Sequence, residues 1–174
     1  MKAWVLNLFR KKIKMKEKNP LLELIAKHES NGNYNVIYGG TERDLVNKTI
    51  REIFKVQEDM LRKGLRSTAV GRYQFIHRTL EGLVSQLKIK GGRLFDEALQ
   101  DLLAFELLNR RGYQRFLLNQ ITKAQFMMNL AKEWASFPKD MGGKSYYAGD
   151  GLNRALVTPE EVLKVLTTLN PTAK

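Results

Sequence analysis

The chain has no cysteine. Disulfides, iron–sulfur clusters and cysteine-rich zinc sites are excluded, although a lack of thiols says nothing against an oxidising compartment. Its two histidines, His28 and His77, do not form a metal-ligand spacing. No metal or other cofactor is expected. No apolar run approaches the roughly 20 residues of a membrane-spanning helix. There is no zinc-finger spacing, no RNP-like aromatic pair on a strand and no heptad-linked basic region, so no specific nucleic-acid partner is expected. Internal repeats are absent too.

What is present is a chain of 174 residues, one domain by length, with an ordinary 43% of hydrophobic residues. The net charge is +12 and unevenly placed. Lys2, Arg10, Lys11, Lys12, Lys14, Lys16 and Lys18 face only Glu17 in residues 1–20, so this segment carries half of the excess. It opens on a short apolar run containing Trp4 and Phe9 and then turns basic, the reverse of a signal peptide. Three uses fit it: a membrane-surface anchor, a docking peptide for a larger assembly such as a virion, or a basic tail for nucleic acid. The first two rank above the third, and a solvated tail fits the composition as well. The globular domain is expected over residues 21–170.

The coarse pattern is mainly helical, with a small β element (mainly α, α+β). Helices are predicted over residues 21–30, 49–62, 72–88, 96–111, 122–135 and 159–168. The fourth is apolar on more than one side, as a central buried helix would be. Thr158, Pro159 and Glu161 form a capping-box signature for the last. Residues 34–40, closed by Gly39-Gly40, read as a short strand or hairpin edge, with Thr41 a cap for the next element. Pro171 is expected to end the ordered chain.

Glu29 is the most informative residue. Leu22, Ile25 and Glu29 share one face of the first helix, and Asn31-Gly32 stops it. A carboxyl on an apolar face, in the last turn of a helix, is costly to ionise for two reasons: desolvation and the negative end of the helix dipole. Both favour a protonated acid near neutral pH, which is what protonating a glycosidic oxygen requires. The competing reading is a structural glutamate paired with a basic neighbour.

Three other clusters fall outside regular helix or at helix entries. In Ser67-Thr68-Ala69-Val70-Gly71-Arg72-Tyr73-Gln74-Phe75, small residues and a glycine permit close approach of a backbone or ligand. Tyr73 adds a stacking face, and Gln74 a donor and an acceptor. Trp134-Ala135-Ser136-Phe137-Pro138 is an aromatic helix exit, for which core packing is the simpler use. Residues 143–153 form a loop rich in Tyr, Gly and Asn, with Tyr146 and Tyr147 adjacent. Aromatic faces and amides together suit sugar rings.

In this order, over residues 21–168, these segments resemble the phage lambda-type endolysins and related phage muramidases, which act as lytic transglycosylases. The resemblance rests on His28-Glu29-Ser30, on Tyr34-Asn35-Val36-Ile37-Tyr38-Gly39-Gly40, on residues 67–75, on residues 134–138 and on Ser145-Tyr146-Tyr147. It implies a lysozyme-like, two-lobed fold with a substrate cleft. It implies cleavage of the MurNAc-β-1,4-GlcNAc bond of peptidoglycan glycan strands with formation of a 1,6-anhydro product. The setting would be a phage virion or an infected host cell, with action on the bacterial cell wall in the periplasm.

Glu29 would be acid and then base. Ser30 would orient it or contact an acetamido group. Tyr73 and Gln74 would line the cleft, Tyr38 would contribute from the small sheet, and Arg72 would meet a lactyl or peptide carboxylate. Tyr146 and Tyr147 would hold the muramic ring. Glycosidases commonly use two carboxylates, whereas this chemistry needs one. No acidic residue follows Glu29 until Glu42 and Asp44. A hydrolytic lysozyme using Asp44 or Asp150, and a non-catalytic virion or wall-binding component, are the alternatives.

Overall fold

The computed structural model describes residues 19–149 and 153–174. The expectations for Trp4, Phe9 and the other residues up to 18, and for Asp150, fall outside them.

Helix α1 (Pro20–Ser30) starts at Asn19, whose side-chain oxygen accepts from the N–H groups of Leu21 and Leu22. Asn31 ends it in the left-handed region at φ 53°, its N–H returning to the Ala26 carbonyl. Leu21, Leu22, Ile25 and Ala26 face the core. Strands β1 (Val36–Ile37) and β2 (Thr41–Glu42) form an antiparallel hairpin, Val36 opposite Glu42 and Ile37 opposite Thr41. Thr41 is thus in a strand and not a helix cap. Thr49 caps α2 (Ile50–Arg62) instead, in a reciprocal box with Glu52.

Helix α3 (His77–Gln86) is shorter than the periodicity over residues 72–88 indicates. Val70 and Phe75 exchange backbone hydrogen bonds, and Gln74 sits at φ 51°. Those two constraints make residues 71–74 a tight turn, not a helix start. Helix α4 (Glu97–Arg110) buries Leu99, Gln100, Leu103, Ala104, Leu107 and Leu108 and packs on α1. It is the central helix that its apolar content predicts. Helix α5 (Tyr113–Leu117) follows at once and is too short to leave a periodic signal.

Helix α6 (Lys123–Ala131) ends four residues before its predicted limit of 135. Trp134 lies beyond it as a buried core residue, so its apolar character belongs to packing and not to helix period. Helix α7 (Pro159–Leu169) has the predicted Thr158–Glu161 box, a cap of about 1 kcal/mol, and packs on α1 and α6. Order does not stop at Pro171: Ala173 is buried and the Lys123 N–H donates to the Lys174 carbonyl at 2.7 Å. The aromatic core joins these helices, with Phe116 and Phe126 stacked at 4.9 Å. Each fully buried Phe side chain contributes about 1.5–3 kcal/mol.

Candidate active site

The C-terminal turn of α1 delivers Glu29 into a cleft of about 290 Å³. One wall is the segment 67–76 laid against β1. The Tyr38 N–H donates to the Ala69 carbonyl at 2.8 Å, and the Gly71 N–H donates to the Val36 carbonyl at 2.8 Å. The opposite side comes from the turn after α6, through Glu133, Trp134 and Ala135, and the floor includes Leu107 of α4. Among the described residues, no cluster of acidic or histidine side chains is placed to hold a metal ion.

Burial pushes the Glu29 carboxyl up from its ordinary 4.5 to about 7, and a hydrogen bond from Ser136 partly opposes that rise. The Ser136 hydroxyl donates to Glu29 Oε1. Ser136 is itself buried and Glu29 is partly buried beside it. A carboxyl with this value is divided between its two forms near neutral pH. It can therefore give a proton and take one back.

The profile of the endolysin family matches residues 13–158. The chain belongs to the endolysin family. Endolysins are phage enzymes that act on host peptidoglycan, and this coarse activity comes with membership. The fold agrees: bacteriophage lambda lysozyme, solved in complex with a chitohexasaccharide, superimposes with a TM-score of 0.56 at 22% identity, covering 90% of this chain and 95% of that one. The fold is lambda lysozyme-like, mainly helical with a two-stranded antiparallel sheet. No match was found among curated proteins.

In this endolysin the residues singled out from the sequence separate into three groups. Glu29, Tyr38, Tyr73 and Gln74 line the cleft. Tyr73 does so without offering a face: it is only 2% exposed, and its hydroxyl donates to Asp101 Oδ1 at 2.8 Å. Burial, reinforced by the Asp101 charge, pushes its phenol far above the ordinary range. Gln74 turns its amide onto the Gly71 carbonyl at 2.9 Å, bracing the turn that carries it.

Ser30 and Arg72 act as struts in the structure. The Ser30 hydroxyl donates to the Arg72 carbonyl at 2.7 Å, tying the end of α1 to the 67–76 wall, and it is Ser136 that hydrogen-bonds Glu29. The Arg72 guanidinium stacks over Tyr34 at 4.8 Å, donates to the Tyr34 hydroxyl and bridges Glu23 at 2.8 Å. It also lies 3.9 Å from Asp101. Tyr146 and Tyr147 are 45% and 40% exposed and meet edge to face at 5.2 Å. The Tyr147 hydroxyl donates to the Lys132 carbonyl at 2.8 Å, so this pair stands beside the 133–135 wall. Asp44 is exposed and accepts from Asn47 at 3.0 Å, away from the lining of the cleft.

Three positions escaped sequence reasoning. Ser136 was legible only as part of an aromatic helix exit. Gln57, fully buried on α2, donates to the carbonyls of Thr68 and Phe75 and so fixes the 67–75 segment from below. Gln57 fell on the apolar face of α2 by period, which was the available signal. The third is Glu133, with nothing around it in the sequence to set it apart.

Removing the Ser136 hydroxyl removes the one interaction that favours ionised Glu29. Ser136→Ala is expected to raise the Glu29 pKa further, because desolvation then acts unopposed. The alkaline limb of the pH–activity profile, where the acid loses its proton, should move to higher pH. A profile of kcat/KM against pH in the two proteins checks this, and an unmoved or lowered limb contradicts it.

Proposed function

We propose that the protein is a lytic transglycosylase, cleaving the MurNAc-β-1,4-GlcNAc bond with formation of a 1,6-anhydro end. The observation that carries the proposal is Glu29 in the cleft with its carboxyl raised to about 7. Protonated Glu29 gives its proton to the glycosidic oxygen as the bond to C1 breaks. The same group, now a carboxylate, takes the proton from the muramic C6 hydroxyl as that oxygen closes on C1. One residue serves both steps because its pKa lies near the working pH.

Tyr38 and Gln74 are the contacts to the sugar from one wall, and Tyr146 and Tyr147 extend a stacking surface beside the other. The chitohexasaccharide bound by lambda lysozyme supports a cleft built for β-1,4-linked N-acetylated sugars. Residues 1–20 serve as a contact to a virion or a membrane surface.

Hydrolysis on the same fold is the second reading. A specific observation favours it: the cleft holds another carboxylate, Glu133. Mass analysis of fragments released from purified peptidoglycan separates the two. Anhydro ends, one water lighter than hydrolysis products, are the expected result. Reducing ends would make the enzyme a lysozyme.

A further inference from the structure

Among the described residues lining the cleft, the charged ones are Glu29 and Glu133; the rest are neutral. Glu133 is far along the chain from the catalytic helix but close in the fold. It sits three residues before Ser136 on the turn that follows α6, and Ser136 touches Glu29. The wall that steadies the acid therefore also carries the second carboxylate.

Glu133 is not loosely placed. Its side chain is 11% exposed, and Oε2 takes a hydrogen bond from Arg111 Nε at 2.7 Å. Arg111 is in turn fixed through its carbonyl, which accepts from Asn129 at 3.1 Å. A guanidinium partner holds a carboxylate in one orientation. The bridge occupies one oxygen of a group with about four acceptor sites.

We propose that Glu133 is the second working carboxylate of this site. It is a fixed anion, clamped by Arg111, that contacts the reacting sugar and stabilises the positive charge developing at its anomeric carbon. This rests on the reading of Glu29 as the acid and extends it. As the C1–O bond breaks, its electron pair goes to the leaving oxygen together with the Glu29 proton. The C6 oxygen then supplies the pair for the new bond, and its proton goes to Glu29. Glu133 neither gives nor receives a proton. Its effect is electrostatic and is greatest where water is excluded and little else in the cleft bears charge.

The test is the full chain carrying Glu133→Gln, assayed on purified peptidoglycan beside wild type. The expected result is a fall in kcat of about 100-fold, with KM within about twofold and the same products. Glu133→Asp, which keeps the charge, should recover most of the rate. A raised KM with unchanged kcat would reduce Glu133 to a binding contact and overturn the proposal, as would a wild-type rate. A variant that loses only reducing-end products would make Glu133 the base that activates water, and would also overturn it. Thermal unfolding is followed at the same pH. If Glu133→Gln does not fold, Arg111→Met, which leaves the carboxylate but removes its clamp, carries the test: kcat should fall, and an unchanged kcat defeats the proposal. Glu29→Gln in parallel keeps the two claims apart. Activity surviving in that variant refutes the acid, whereas the Glu133 and Arg111 variants bear on the second carboxylate.

Discussion

Glu29→Gln is expected to abolish cleavage and, above pH 7, to make the protein more stable. The amide keeps the shape of the carboxyl and can still accept from Ser136, but it has no proton to give. Loss of a general acid of this kind costs about 10³-fold or more in rate. The stability effect follows from the same burial. The carboxyl titrates near 4.5 when unfolded and at about 7 when folded. Below pH 4.5 it is protonated in both states and costs nothing. As pH rises from 4.5 through 7 the unfolded state releases its proton first, so folding loses free energy, and above 7 the loss is complete at about 3 kcal/mol. Glutamine does not pay this penalty. Denaturant unfolding of both proteins at pH 4 and pH 8 measures it: near-equality at the lower pH and a gain of about 3 kcal/mol for the variant at the higher. Equal stabilities at pH 8 would mean that Glu29 is well solvated, and the case for it as a neutral-pH acid would go too.

Gly71→Ala carries the second large effect, this one on the fold of the cleft wall. Gly71 lies at φ +76°, and a Cβ there would come within 2.3 Å of Gln100 Oε1 and 3.0 Å of the Phe95 ring. A left-handed alanine costs about 1–2 kcal/mol. Forcing the Gln100 amide aside costs about 1–3 kcal/mol more by overpacking. Gln100 Oε1 also accepts from the Arg72 N–H at 2.9 Å, and losing that bond adds about 1 kcal/mol. A total of about 3–6 kcal/mol should appear as a melting temperature lower by about 10 °C or more. A shift of only a degree or two would show that the 71–74 turn is soft.

These two residues also show how far the sequence could be read. The placement of Glu29 in the cleft with a raised pKa was legible because helix period, an Asn-Gly stop and a carboxyl on the apolar face converge within a dozen residues. The capping box at Thr158 was read from its three-residue spacing, whereas those at Thr49 and Thr122 were not, yet the starts of α2, α6 and α7 lie within a residue or two of the predicted ones. Gly71 was legible as a point of close approach, but what approaches it is a glutamine from α4, and no local pattern names that partner. The same holds for Arg72. By residue type it is a surface cation for substrate, yet the fold brings Glu23, Tyr34 and Asp101 around it. Tyr73 looked like a sugar platform and is a core residue whose hydroxyl donates to Asp101. Ser136 and Glu133 are the hardest cases, because a single Ser or Glu after a helix has no signature until tertiary packing sets it against something. Chemistry carried by one residue and its near neighbours can be read from a chain; chemistry that depends on distant pairs cannot.

The hydrogen bond between Glu29 and Ser136 spans 107 positions. A chain still emerging from the ribosome has its acid long before it has the wall that dries and orients it. Contacts of such long range form late, since their loop-closure cost must be met before they return anything. The acid therefore gains the partner that orients it only after the chain has been made as far as Ser136 and packed back on α1.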